Sequence, residues 1–291
     1  MKKVVKAVIP AAGFGTRMLP FTKAVPKELI PLVDKPALQY VIEEAVSAGI
    51  EEILLIISAG KEAIIRHFNP VADLEARLES SGKHELLAQL RAIDHLADIH
   101  YVYQQELDGL GGAVRLAARF AGDDPVAVLL GDTVLDAFGD RSVTGQLIDV
   151  YEKFGSSVIA FEEVAPEKVS RYGIAAADPV SENIVKLRDL VEKPSPETAP
   201  SRLAVAARYL FTPGIFMALA ETPVGLHNEV QLTDAVRILL AREPVYGCRI
   251  AGKRYDLGSK AGFIAANVEF AMRRPDLQES LGGKLKQLLN C

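Results

Sequence analysis

Apolar residues in this chain fall into short unbroken runs, separated by longer stretches in which they recur every three or four positions. The runs are Val4 to Pro10 (VVKAVIP), Glu51 to Ile57 (EEILLII), Ile99 to Gln104 (IHYVYQ), Pro125 to Asp132 (PVAVLLGD) and Ser156 to Val164 (SSVIAFEEV). Their shortness and β-branched content predict strands. PALQYVIEEAVSAG, GGAVRLAARFAG and the charged stretch Lys61 to Asp98 carry the helical period, the last reading as a solvated amphipathic helix pair used in subunit contact. Runs that are apolar throughout, rather than alternating, are buried on both faces, so the pattern predicts an α/β fold with a mostly parallel sheet between helical layers. Ligands of such sheets sit beyond the carboxyl ends of the strands. A glycine-rich turn, Gln104 and Asp132 all fall at those ends.

After Val164 the texture changes. Tyr172 to Leu203 is rich in Pro, Ser and turns and reads as an insertion or sheet extension closing over a pocket; from Ser259 the pattern is helical, broken at Pro275. With 291 residues, 49% of them hydrophobic and 24% charged, the chain belongs to the globular class. A net charge of -5 argues against a nucleic-acid partner, and no apolar run is long enough for a membrane span. Lysines precede the first apolar run, but the run passes straight into Gly13, Gly15 and Arg17 and reads as a buried strand, not a signal peptide. Two cysteines, Cys248 and Cys291, form neither a disulfide framework nor a thiolate metal site, which suits a reducing cytoplasm. His67, His84, His95, His100 and His227 lack metal-ligand spacing and read as helix-surface or core residues.

The turn after the first run is AAGFGTRM, residues 11–18. Glycines let backbone N–H groups approach anionic oxygens. A dinucleotide fingerprint would need a third glycine where Met18 stands, and both Gly-Lys pairs (Gly60-Lys61, Gly82-Lys83) lack the hydroxyl residue of a P-loop. Arg17, Lys23 and Lys27 instead crowd one loop region with the glycines. Fixed cations beside backbone donors suit charge developing on polyphosphate oxygens better than they suit hydride transfer. Asp132 ends a very apolar strand, where an unpaired carboxylate is costly and a divalent cation would relieve the cost.

Residues 11–56, AAGFGTRMLPFTKAVPKELIPLVDKPALQYVIEEAVSAGIEEILLI, resemble the signature of the bacterial UTP–glucose-1-phosphate uridylyltransferases, members of the sugar-phosphate nucleotidyltransferase family. The similarity continues in order through YQQELDGLGGAV, VLLGD, VSRYGI, LVEKPSPETAPS, ARYLFTPGIF, NEVQLTDAV and RYDLGSKAGF. The resemblance implies a three-layer α/β/α, Rossmann-like nucleotidyltransferase fold with a mostly parallel mixed sheet, a sugar-binding extension and C-terminal helices. It would form a single domain over 1–291, with 1–150 mainly binding nucleotide, 151–258 mainly binding sugar and 259–291 helical.

It also implies an activity, Mg²⁺-dependent transfer of UMP from UTP to a sugar 1-phosphate, glucose 1-phosphate foremost, in a homo-oligomer (dimer or tetramer). Ala11, Ala12, Gly13 and Gly15 would face the nucleotide, Gln104 the uracil edge, and Gly109 would leave room for the flat base. Arg17 would hold the leaving pyrophosphate, and Lys27 would offset charge. Gly173, Glu192 and Lys193 would take the sugar and its phosphate. Asp132 and Asp256 would hold the metal.

Two positions depart from the family pattern: Gly112 stands where histidine is expected, and Ala207 where glycine precedes Arg-Tyr. They keep open a relative using dTTP or another sugar 1-phosphate, or a non-catalytic sensor of UDP-sugars. A sensor would not need all of Arg17, Lys27, Asp132, Lys193 and Asp256. A nicotinamide dehydrogenase is a more distant alternative.

Overall fold

Val8, Leu54 and Ile56 point to one side of a central sheet and Ala7, Ile9, Ile53, Leu55 and Ile57 to the other, all of them buried. That two-sided burial is what an unbroken apolar run requires. The computed structural model describes residues 1–225 and 228–289; His227 and Cys291 lie outside them.

The strands are β1 (Lys6–Pro10), β2 (Pro31–Leu32), β3 (Lys35–Pro36), β4 (Glu52–Ile57), β5 (Asp98–Tyr103), β6 (Val126–Leu129), β7 (Thr133–Ala137), β8 (Val158–Glu163), β9 (Gly173–Pro179), β10 (Ile184–Glu192), β11 (Leu203–Phe211), β12 (Tyr246–Arg249) and β13 (Gly252–Asp256). The helices are α1 (Ala37–Ser47), α2 (Glu62–His67), α3 (Ala72–Ser80), α4 (His84–Asp94), α5 (Gly109–Arg115), α6 (Ala118–Ala121), α7 (Val143–Phe154), α8 (Gly214–Glu221), α9 (Leu232–Leu240), α10 (Lys260–Met272) and α11 (Pro275–Leu289).

The main sheet has the order β5-β4-β1-β6-β11-β8-β12-β10-β9. β5, β4, β1 and β6 run parallel, as do β8 and β12. β11 is antiparallel to both β6 and β8, and β10 is antiparallel to β12 and β9. Strands before residue 150 form one half of this sheet and strands after it the other half, joined where β6 pairs with β11. Helices α5, α8 and α9 cover one face, and α1 and α7 the other, so the molecule is a three-layer α/β/α fold. A separate ribbon, β7 with β13, packs under α10 through Val134, Tyr255, Leu257 and Ala266. Ser142 and Ser259 cap α7 and α10 by accepting the Gly145 and Gly262 N–H groups.

One expectation needs correction. The stretch Lys61 to Asp98 is three helices, not a pair: Pro70 stops α2, and Gly82, at φ 68°, separates α3 from α4. Its first residue is also not solvated, since Lys61 is 6% exposed. Of the two readings of the Pro- and Ser-rich stretch after Tyr172, insertion or sheet extension, the second holds. The stretch forms β9 and β10, the edge hairpin of the sheet itself.

One buried ion pair locks the layers together. Arg208, in β11, is 1% exposed; its Nη2 lies 2.6 Å from Glu44 Oε2 on α1 and donates to the Thr133 carbonyl at 3.0 Å. The Thr144 hydroxyl on α7 donates to the same glutamate at 2.7 Å. Removing one member leaves a charge stranded away from water. Glu44→Ala is expected to cost about 3–5 kcal/mol, read as a lowered urea midpoint with an unchanged slope.

Candidate active site

The carboxyl ends of β1, β4, β5 and β6 converge on one edge of the sheet, and the candidate residues gather there. Ala11 and Ala12 continue β1: the Ala11 N–H donates to the Ile56 carbonyl at 2.7 Å, and the Ser58 hydroxyl to the Ala12 carbonyl at 2.7 Å. Gly13 is exposed, and Gly15, at φ 67°, starts a 3₁₀ turn that carries Arg17. A Cβ on Gly15 would lie 2.9 Å from Lys27 Cβ, so the turn can close over the lysine only as glycine.

Lys27 crosses from this loop to the end of β6. Its Nζ is 2.6 Å from Asp132 Oδ2. Burial drives the Asp132 carboxyl upward, but the Lys27 ammonium, its hydrogen bond and the Arg17 charge outweigh it, leaving the carboxyl below its ordinary value. Burial likewise opposes the Lys27 charge, yet Asp132 and Glu28 hold its pKa above the usual lysine value. Beneath lies a second pair that sequence reasoning missed: Lys61 Nζ bonds both oxygens of fully buried Glu28, at 2.8 and 2.9 Å, and also the Ala11 carbonyl. Lys23 is exposed and does not join this cluster.

A cavity of about 780 Å³ opens beside the loop, and Arg17, Gly109, Asp132, Gly173, Glu192, Lys193 and Asp256 all line it. Ala11, Ala12, Gly13, Gly15, Lys27 and Gln104 flank it without forming its wall. Arg17 and Asp256 meet over Gly258: a Cβ there would sit 2.7 Å from Arg17 Nη2 and 3.1 Å from Asp256 Oδ1. Asp256 Oδ1 accepts the Gly258 N–H at 2.9 Å. Lys193 Nζ lies 3.0 Å from Glu192 Oε1. A Cβ on Gly173 would reach Thr233 Cγ2 at 3.0 Å and Glu192 Oε2 at 3.5 Å, so glycine keeps that wall open.

Gln104 is buried under the loop that opens α5, where its Nε2 donates to Asp108 Oδ1 at 2.9 Å. Gly109, at φ 94°, packs so tightly on Glu229 that a Cβ would come within 2.8 Å of its Cβ. Arg254, paired with Glu162 and stacked 4.2 Å over the Tyr172 ring, lines the cavity unannounced by any motif role. So does Thr233, whose hydroxyl is the one fully buried side-chain polar atom without a hydrogen-bond partner among the described residues. Both lie within stretches, RYDLG and NEVQLTDAV, whose pattern was visible but whose individual roles were not.

No group of three or more His, Cys, Asp or Glu side chains that could hold a metal occurs among the described residues. Two aspartates facing one cavity, Asp132 and Asp256, are a donor set of another kind. Mg²⁺ characteristically takes one or two carboxylates and completes its shell with water and substrate phosphates. The pair fits that ion and not a closed protein cage.

Comparisons with known proteins identify the family. The family described as nucleotidyl transferase matches residues 6–273. The chain belongs to that family. A UTP–glucose-1-phosphate uridylyltransferase of Bacillus subtilis (strain 168) is 49% identical over 100% of this chain and 99% of its own. A UTP-bound UDP-glucose pyrophosphorylase from Acinetobacter baumannii superimposes with a TM-score of 0.89 at 36% identity, covering 99% of each chain. A UDP-glucose pyrophosphorylase complexed with UDP-glucose gives 0.84 at 39% identity, covering 94% of this chain and 100% of that one. As a nucleotidyltransferase the chain is an enzyme, and no helix among its described residues is long and apolar enough to cross a membrane.

Ala207, the departure from glycine noted in the sequence, stands at φ 59° where β11 shifts register between Val205 and Tyr209. A left-handed alanine is strained by about 1–2 kcal/mol, while glycine gives back about 0.4–1 kcal/mol through its freer unfolded chain. Ala207→Gly is therefore expected to stabilise the protein by up to about 1.5 kcal/mol, measurable as a raised denaturation midpoint.

Proposed function

We propose that the chain transfers UMP from UTP to α-D-glucose 1-phosphate, giving UDP-glucose and pyrophosphate. The observation that carries the reading is the convergence of Arg17, Asp132, Lys193 and Asp256 on one cavity beside the glycine loop. The names of the similar proteins point the same way.

In this reading an oxygen of the sugar phosphate attacks the α-phosphorus of UTP in line. A new P–O bond forms as the bond to the β-phosphate oxygen breaks, and pyrophosphate leaves with the electron pair. No covalent enzyme intermediate is needed, so catalysis is positioning and charge neutralisation. Arg17 holds the departing pyrophosphate. Lys27 balances charge between the loop and Asp132, whose contact at 2.6 Å fixes the loop against the strand end. Lys193 aligns the incoming phosphate, and Glu192 accepts sugar hydroxyls where Gly173 lets the ring approach. Thr233 offers a further unsatisfied hydroxyl on the same wall. Ala11, Ala12, Gly13 and Gly15 present backbone to the nucleotide, Gln104 bonds the uracil edge, and Gly109 clears space for the base. Asp132 and Asp256 would hold Mg²⁺, which when bound neutralises phosphate charge. The left-handed backbone at Lys193 (φ 45°) and Ala207 supports this assignment, since strain of that kind concentrates at working sites. A cytoplasmic setting accords with Cys248 as a buried free thiol.

Pyrophosphate release is expected with UTP and glucose 1-phosphate, and chelation of divalent cations should abolish it. Asp132→Asn should lower turnover at least a hundredfold, the order seen when one charge-stabilising group is lost, with an unchanged circular dichroism spectrum. Full activity in that variant would remove the metal role. Because the Ala207 methyl sits on the cavity wall, the same assay with other sugar 1-phosphates reads the sugar preference directly.

A further inference from the structure

Gly112 lies in α5, and the space its missing side chain leaves is filled from within the chain. A Cβ at Gly112 would stand 1.9 Å from Asp108 Oδ1 and 2.4 Å from Oδ2, a position open to the carboxylate only over a glycine. From there Asp108 makes two bonds in opposite directions. Its Oδ2 accepts from Arg115 Nη2 at 2.9 Å, and its Oδ1 accepts from Gln104 Nε2 at 2.9 Å.

A carboxylate can only accept, and so can the Gly109 carbonyl, which Gln104 Nε2 approaches at 3.4 Å. Both neighbours demand the amide nitrogen, and this fixes which way the Gln104 amide is turned. Both contacts occupy Nε2 and leave Gln104 Oε1 as the atom available to a base. Oriented so, the glutamine is a hydrogen-bond acceptor toward a base. Uracil and thymine present an N3–H donor on that edge; cytosine presents a lone pair at N3.

We infer that Asp108, admitted by Gly112 and held by Arg115, is a positioning residue that locks the Gln104 amide to accept from an imide N–H and so rejects cytosine nucleotides. The inference rests on the proposed role of Gln104 against the base. It does not separate uracil from thymine, whose imide edges are the same.

The chemistry makes an asymmetric prediction. In Asp108→Asn, the Arg115 guanidinium, a donor only, takes the new amide oxygen and turns the new NH₂ toward Gln104. Gln104 must then offer Oε1 to it and swing its own NH₂ to the base, the arrangement that suits cytosine. In Gly112→Ala, the added methyl displaces the carboxylate and frees the Gln104 amide to adopt either orientation.

Binding of UTP and of CTP to the purified chain by calorimetry, alongside pyrophosphate release with each, tests this. The wild type is expected to favour UTP by about a hundredfold or more, as sites built to bond a specific polar edge do. Asp108→Asn should cut that ratio at least about tenfold, through weaker UTP binding and tighter CTP binding, the loss falling on KM and not on kcat. Gly112→Ala should lower the ratio too, with a smaller gain in CTP binding than Asp108→Asn gives. Matching circular dichroism spectra keep both variants interpretable, and a merely structural role for Asp108 would weaken the two nucleotides equally. A wild type that binds both alike, or variants that keep the wild-type ratio, overturns the role of Asp108. Selective UTP binding that Asp108→Asn erodes, without pyrophosphate release from the wild type, supports it while overturning the proposed reaction.

Discussion

The contact between Lys27 Nζ and Asp132 Oδ2, 2.6 Å long, is the interaction on which the site depends. It joins a loop after β1 to the end of β6, the strand beside it, and it sets the protonation state of both groups. A carboxylate at the end of an apolar strand is unstable alone. The neighbouring ammonium keeps it ionised, and Arg17 adds to the effect. The loop can reach this far because Gly15 has no side chain to collide with Lys27. It is held from below by the buried Glu28–Lys61 pair, which also grips the Ala11 carbonyl. Loop, strand end and charge state are thus one arrangement.

The other half of the cavity is shaped by departures from ideal strand geometry. β11 carries a register shift, a left-handed Ala207 and, next to it, the fully buried Arg208. Arg208 reaches across to Glu44 and the Thr133 carbonyl, so the residue after Asp132 is tied to the same network. A rigid frame behind the cavity lets its front be strained, as the backbone at Lys193 and Ala207 is. Strain there has a use only if a ligand approaches that wall closely.

Much of this was legible from the sequence, for identifiable reasons. The parallel strands β1, β4 and β6 announce themselves because burial on both faces demands unbroken apolar runs, whereas β5, at the sheet edge, is only partly buried. Arg17, Lys27 and Asp132 are legible because cations beside glycines, and a carboxylate ending an apolar strand, are costly without a purpose. The Glu28–Lys61 pair was hidden because a lysine after a glycine reads as solvent-facing; only three dimensions place it over a buried glutamate. The helices between Lys61 and Asp98 were miscounted because the amphipathic period continues across Pro70 and Gly82. For β9 and β10 the Pro- and Ser-rich flanks leave insertion and sheet extension both open, and the alternation of buried and exposed residues over much of β10 is the signal that favours the extension. Gly112 was visible as a departure, but its consequence was not, because what fills a missing side chain is a tertiary fact.

The central claim is that Asp132 and Asp256, with the cations of the loop, grip one triphosphate and its metal. Crystals grown with UTP and Mn²⁺ in place of Mg²⁺ test it most directly, since the anomalous signal of manganese locates the ion without assumption. The account predicts a single strong peak ligated by both carboxylates and by nucleotide phosphate, with Arg17 on the β- and γ-phosphates. A peak that touches neither aspartate, or a triphosphate bound away from the glycine turn, would contradict it.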